Sequence, residues 1–173
     1  DRLSRNLASK DFSEAINNEL CRLASNKLCD DDVIAIDPGD IAKPYAKKME
    51  HLCNVWDGDK KEIARGYHLC QIVIANTDHT KVIPTYSHAW SSQQEGYTDK
   101  QSEIFKAIDT LSKYTGNKGI GAIDREGDDN KMIEKFLDEK KTFVTRLKYN
   151  RNIFFNKSIY TMQNFTKKIK TTF

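Results

Sequence analysis

Residues 119–129 read GIGAIDREGDD, and residues 33–40 read VIAIDPGD. In the first stretch Ile120 to Ile123 form a short apolar run that ends on Asp124, followed by a charged turn, Arg125-Glu126-Gly127, and a helix that begins near Asp128. In the second, Val33 to Ile36 is too apolar to alternate, which is how a strand covered on both faces looks, and it ends on Asp37 before a Pro38-Gly39 turn. Two strands, I-A-I-D and G-A-I-D, thus deliver two carboxylates at their carboxyl ends. In open α/β sheets, binding and chemistry gather at that edge.

The neighbouring segments supply the rest of a sheet. Residues 67–75 (YHLCQIVIA) and 81–87 (KVIPTYS), joined by Asn76 to Thr80, read as an antiparallel hairpin, with Pro84 confining the second run to a sheet edge. Thr98 and Gln101 make a capping box for a helix that turns Ile104, Phe105, Ile108 and Leu111 inward and stops near Gly116. A helix over about 128–139 buries Met132, Ile133, Phe136 and Leu137, and residues 142–147 (TFVTRL) make a last strand. Before the first strand, residues 11–29 place Phe12, Ile16, Leu20, Leu23 and Leu28 at helical spacing, with Asp11 as cap. Asp30 to Asp32 read as a solvated turn, residues 43–53 as a short helix or irregular crossing that exposes Lys43, Lys47 and Lys48, and Gly66 as a turn. Beyond Lys148 the pattern weakens to short strands or turns.

The order is therefore strand, hairpin, helix, strand, helix, strand. An antiparallel meander followed by right-handed βαβ crossovers gives a mixed five-stranded sheet, with the first strand central and the fourth beside it in parallel. That places Ile36 beside Ile123, and their acidic successors within a few ångströms of each other. Two ionised carboxylates that close repel unless a cation lies between them or one pKa rises, and hard oxygen ligands suit Mg²⁺ or Mn²⁺. Taken singly, Asp37 reads equally as a turn-former and Asp124 as a cap acceptor.

Composition sets the wider limits. The 173 residues, 38% hydrophobic and 31% charged, suit one globular domain. No apolar run approaches a membrane span, and no signal peptide opens the chain, so a cytoplasmic protein is expected. The first residue is Asp1, as in a processed chain or an excised piece. Charge is unevenly spread: from Lys140 to Phe173 there are nine basic side chains and no acid, interleaved with Phe143, Tyr149, Phe154, Phe155, Tyr160 and Phe165. Such a segment tracks a phosphate backbone or forms a solvated basic tail. The four cysteines show no C-x-x-C pair; two His-Leu-Cys triplets, at 51–53 and 68–70, do not match a known zinc-finger spacing, and reduced thiols are expected.

The stretches around both aspartates, DIAKPYAKKMEHLCNVWDG after Asp37 and above all AIDREGDDNKMIEKFL followed by TFVTRLK, resemble the DDE-type transposases of bacterial insertion sequences, of the IS-four kind, over about residues 32–147. The resemblance implies a ribonuclease-H-like catalytic core and metal-dependent cleavage and strand transfer of double-stranded DNA at transposon ends, with a two-metal Mg²⁺ or Mn²⁺ site and a dimer in the complete enzyme. Asp37 matches the first catalytic aspartate and Asp124 the second, both metal ligands, with Asp40 as the rival for the first place. Glu126 is expected near the metal, and Asp128 and Asp129 at the helix amino terminus. Lys43, Lys47, Lys48, Arg125, Arg146, Lys148 and Arg151 are the expected nucleic-acid contacts, with an ion pair to a neighbouring acid as the other role for Arg125. The family's third carboxylate, a glutamate in a Y-x-x-R-x-x-x-E signature, has no match, because no residue after Glu139 is acidic. The expected organisation is a helical lead-in (1–30), an incomplete core (31–147) and a basic tail that begins an inserted segment (148–173), inactive by itself. A structure-selective nuclease on the same fold and a non-catalytic nucleic-acid-binding module are the alternatives.

Overall fold

The computed structural model of the chain describes residues 11–76 and 80–170. Its elements in order are α1 (Ser13–Ser25), β1 (Val33–Ala42), β2 (Cys53–Asp57), β3 (Glu62–Ala75), β4 (Val82–Trp90), α2 (Lys100–Thr115), β5 (Ile120–Ile123), a 3₁₀ turn (Arg125–Gly127), α3 (Asn130–Asp138), β6 (Phe143–Thr145), β7 (Asn152–Phe155), β8 (Ser158–Thr161) and α4 (Met162–Lys170). Central β1 is antiparallel to β3 and parallel to β5; β3 carries β2 and β4, both antiparallel, and β5 carries β6 in parallel. The path β4-β3-β1-β5-β6 is the expected ribonuclease-H-like order, and β2 makes the mixed sheet six-stranded where five were expected.

One face of the sheet is covered. Ile34, Ile36, Cys70, Ile72, Ile74 and Ile123 pack against Cys21 and Ala24 of α1, Ile104, Ala107, Ile108 and Leu111 of α2, and Met132 and Phe136 of α3. On the other face Val33, Ala35, Val73 and Ala122 are half-buried and Val144 is exposed, so the sheet is open there among the described residues. Among the described residues no second layer therefore covers the first strand, where its unbroken apolar run suggested one on each face.

β1 also runs further than expected, through Pro38-Gly39 to Ala42. A proline has no N–H for a ladder, but Pro38 lies past the end of the β1–β5 pairing at Ile36↔Ile123, where that edge of β1 is already unpaired. Gly66 is no turn; it lies inside β3 opposite both Ala42 and Cys53. A Cβ there would stand 2.0 Å from the Ile41 carbonyl oxygen and 2.7 Å from Val55, which is why the position has no side chain. Residues 43–52 form turns with no helix before β2. Pro84 falls on the edge strand, as expected, next to a register shift at Ile72/Val73.

The helices depart from their sequence patterns at their ends and faces. Asp99, not Thr98, caps α2, its carboxylate accepting from the Ser102 N–H at 2.8 Å. In α1 the buried positions are Asn17, Cys21 and Ala24, while Ile16 and Leu23 are exposed. Asn17 goes inward because it satisfies the edge strand: its Nδ2 donates to the Ser87 carbonyl (3.0 Å) and its Oδ1 accepts from the Ser87 N–H (3.1 Å). Leu137 of α3 is exposed. Asp32 is buried and not solvated, accepting from the Cys29 N–H at 2.7 Å. Residues 1–10 of the lead-in and 171–173 of the tail lie outside the described residues.

Candidate functional site

The register Ile36↔Ile123 is the last step of the parallel β1–β5 ladder, with neighbouring strands about 4.8 Å apart. Asp37 and Asp124 are the next residues on the two strands, and both are exposed. Alternation turns Asp37 away from the helix-covered face, and Asp124, whose backbone is still extended (φ −72°, ψ −157°), leaves that face in the same way. Asp37 and Asp124 are therefore the residues that directly follow the last paired positions of the central parallel strands, on the same face by alternation.

Their surroundings differ. The Asp37 side chain makes no hydrogen bond or ion pair with any described residue. Asp124 caps the 3₁₀ turn: its Oδ1 accepts from the Glu126 N–H at 2.8 Å, and its carbonyl accepts from Thr145 Oγ1 at 3.0 Å. The cap role and the second carboxylate oxygen coexist. Asp40 is engaged elsewhere, with Oδ1 2.7 Å from His68 Nδ1 and Oδ2 accepting from the Trp56 N–H at 3.0 Å, both side chains mostly buried. As the rival first aspartate it is already committed to holding β1, β2 and β3 together.

Glu126 reaches Lys100 at the start of α2, with Nζ 3.0 Å from Oε2 and 3.2 Å from Oε1. Burial pushes the nearby Cys70 thiol up to about 12, the Asp37 carboxylate adding to the rise, Lys100 opposing it and Glu126 adding again. Arg125 pairs with no acid among the described residues; its guanidinium stacks on the Tyr149 ring, 5.0 Å from the centroid, and its Nε is buried without a partner.

Asp128 and Asp129 have separate roles. Asp129 caps α3, accepting from the Lys131 and Met132 N–H groups, and also binds Gln101 Nε2 at 2.5 Å. The Gln101 amide, then the two backbone bonds, hold its carboxyl below the usual carboxylate range. Asp128 does not serve the helix; it is buried and accepts from the Lys148 N–H at 2.5 Å and from Arg151 Nε. Arg151 also donates to Asn130 at 2.8 Å. Lys148 and Arg151 therefore tie the β7–β8 hairpin to the turn that bears Asp124. Lys43, Lys47, Lys48 and Arg146 are exposed.

Sequence reasoning missed Lys100 and the Asp128 latch, and it gave Gln101 to a capping box where the side chain instead binds Asp129. The one signal for Lys100 was a cation in the first turn of a helix, against the helix dipole. As donors, Asp37 and Asp124 suit a hard cation with oxygen ligands, and they make a partial set. No three His, Cys, Asp or Glu side chains are grouped to hold an ion among the described residues. The His-Leu-Cys triplets are occupied otherwise: His68 with Asp40, and Cys53 Sγ donating to the Gly66 carbonyl. The four cysteines are free.

The fold and this edge define a mixed α/β protein of ribonuclease-H-like strand order with paired acids on its central strands. By sequence the chain matches no family model and no curated protein. Among solved structures it is similar to a piggyBac transposase synaptic complex with hairpin DNA, at 15% identity and a TM-score of 0.38, over 69% of this chain and 23% of that one. It is also similar to Ciona intestinalis endonuclease V in complex with a 24mer DNA containing an inosine followed by a ribo-adenosine, at 10% identity and a TM-score of 0.39, over 99% of this chain and 69% of that one. The chain spans under a quarter of the transposase's length. No helix among the described residues is long and apolar enough to cross a membrane.

Proposed function

We propose that this chain is part of the catalytic core of a DDE-type transposase of the bacterial IS-four kind, a cytoplasmic enzyme that cuts and joins double-stranded DNA at transposon ends. The observation that supports the reading is the Ile36↔Ile123 register, which makes Asp37 and Asp124 the next residues on adjacent strands at the sheet edge where the sequence resemblance expects two metal ligands. Asp37 and Asp124 would hold Mg²⁺ or Mn²⁺, with Glu126 as a further oxygen donor. Bound there, such an ion lowers the pKa of an attacking water or hydroxyl and stabilises the leaving oxygen of a phosphodiester.

The chain's own residues position the rest. The Asp124 cap on the Glu126 N–H fixes the turn, so the second carboxylate is held in place before any ligand arrives. Exposed Lys43, Lys47, Lys48 and Arg146 offer cations to the DNA backbone, and the planar Arg125, braced on Tyr149, suits a phosphate oxygen. Lys148 and Arg151, proposed as DNA contacts from sequence, act through the latch on Asp128, which aims the basic hairpin. Two aspartates leave the coordination sphere unfilled, and the open face of the sheet beside them leaves room for a third carboxylate from another segment. In the complete enzyme two ions and a dimer on paired DNA ends follow from the same reading.

Calorimetric titration of the chain with Mn²⁺ tests the proposal. The expected result is weak binding that D37N and D124N each reduce by at least about tenfold, the minimum for losing a direct ligand, while D40N leaves it unchanged because Asp40 is held by His68 and Trp56. Wild-type affinity in both D37N and D124N would sink the reading. Nicking or strand transfer by this chain alone with Mn²⁺ would overturn the expectation that it is inactive without a third carboxylate.

A further inference from the structure

The buried positions of α2 are Glu103, Ile104, Ala107, Ile108, Leu111 and Thr115. Glu103 is the one charged residue among them, and acids are almost never buried without a partner. Its partner is Lys106, with Nζ 2.6 Å from Oε1, on a side chain 61% exposed against 9% for Glu103. The second carboxylate oxygen accepts from no described residue. A lysine that lies mostly in water holds a solvated glutamate equally well, so the pair leaves the inward turn of this acid unexplained.

Glu103 lines a cleft of about 380 Å³ between the end of β4, the loop over 91–97 and the first turns of α2. Trp90, Gln94 and the half-buried rings of His88 and Tyr97 are in the same wall. The loop holds its own shape: Gln94 Oε1 accepts from the Ser91 N–H at 2.9 Å, and Ser91 Oγ accepts from the Gln93 N–H at 3.0 Å. Trp90 is 2% exposed and stacked on His88, and its indole Nε1 has no hydrogen-bond partner. A buried indole N–H ordinarily finds an acceptor. The wall thus combines an unsatisfied donor, a free carboxylate oxygen, a movable ammonium and flat aromatic surface. Trp90 and Ile104 belong to the core under the helix-covered face, so the cleft is separate from the edge that bears Asp37.

A ligand that answers this wall is planar and carries one acceptor beside two donors. Guanine has that edge: O6 accepts, while N1–H and the N2 amino group donate. A carboxylate takes the two donors as a bidentate pair, and an ammonium next to it takes O6. Adenine and cytosine set a ring-nitrogen lone pair against the carboxylate, and thymine flanks its one N–H with two carbonyls. We propose that the cleft binds an unpaired guanine base, with Glu103 reading N1–H and N2–H, Lys106 turning to O6, and His88 and Tyr97 offering faces for stacking. The same chemistry serves a free guanine nucleotide and an unstacked guanine in a single strand, and the test separates the two.

The chain has two tryptophans, so W56F leaves Trp90 as its one indole. In that background the indole N–H signal is followed by NMR as dGMP or dAMP is added. Affinities are measured in parallel for oligothymidine carrying one central guanine or one central adenine. The guanine probe is expected to move the Trp90 signal and to bind at least about fivefold more tightly than its adenine counterpart, the low end for one bidentate base contact. E103Q is expected to erase that preference and K106M to reduce it, while D37N leaves it unchanged. Preference with dGMP assigns the cleft to a free nucleotide, and preference with the oligonucleotide alone assigns it to a strand. No binding, equal affinity for the guanine and adenine forms of both probes, or an undiminished preference in E103Q overturns the inference. The base swap leaves the protein untouched, so it decides the matter even if E103Q fails to fold.

Discussion

Replacing Gly127 by alanine puts a methyl group into space that is already filled. A Cβ at this buried position would lie 2.2 Å from Cγ2 of Ile123 and 2.8 Å from Oγ1 of Thr145. Ordinary carbon contacts fall at about 3.5–4.0 Å, so Ile123 or the turn has to shift by more than an ångström. Ile123 is β-branched and sits in the core beneath the sheet edge, and Thr145 Oγ1 donates to the Asp124 carbonyl, so neither yields freely. Overpacking of this kind costs about 1–3 kcal/mol. With a urea slope near 2 kcal/mol/M for a small domain, the unfolding midpoint falls by about 0.5–1.5 M. Gly39 is the control: a Cβ there meets nothing within 4 Å, so G39A is expected to be neutral or to stabilise by up to about 1 kcal/mol through the unfolded chain. Because Ile123 precedes Asp124, G127A is also expected to weaken Mn²⁺ binding where G39A does not. Urea melts of G127A and G39A that superimpose would refute the packing argument.

Removing the α3 cap with D129A is expected to cost about 1 kcal/mol in urea melts, reduced towards the low end by the exposure of Asp129. Its depressed folded-state pKa means the stabilisation is complete above the unfolded carboxylate value and lost as pH falls through the lower folded value, so D129N is expected to flatten the acid limb of the stability–pH profile below about pH 4. Thiol titration with a disulfide reagent at pH 8 is expected to find Cys29 reactive in the native chain, since it is exposed, while Cys21 and Cys70, pushed by burial to about 11 and about 12, react after denaturant is added. Fast native-state modification of Cys70 would show that the core beneath the acidic edge opens readily.

Much of the sheet was legible because its strands are short apolar runs bounded by turn-formers, and the helices α2 and α3 because their apolar residues recur at helical spacing. Asp37 and Asp124 could be singled out for the same reason: each directly follows such a run. What the residue pattern misplaced depended on partners distant in sequence. The inward face of α1 was misread by about one position because Asn17 looks like a surface residue until the backbone of Ser87, 70 positions away, needs it. β1 was stopped at Pro38 because a proline looks like a strand breaker until β5 is seen to have ended beside it.

The sequence alone determined which residues could carry chemistry, since a strand ending on an acid is a local pattern read by period and polarity. The tertiary structure decided which acids are free to use it. Asp40 and Asp128 differ little from Asp37 and Asp124 as letters, yet one is spent on His68 and the other on Arg151 and Lys148. A carboxylate's availability is set by the donors that reach it, and those donors are brought up by chain crossings that no local spacing encodes.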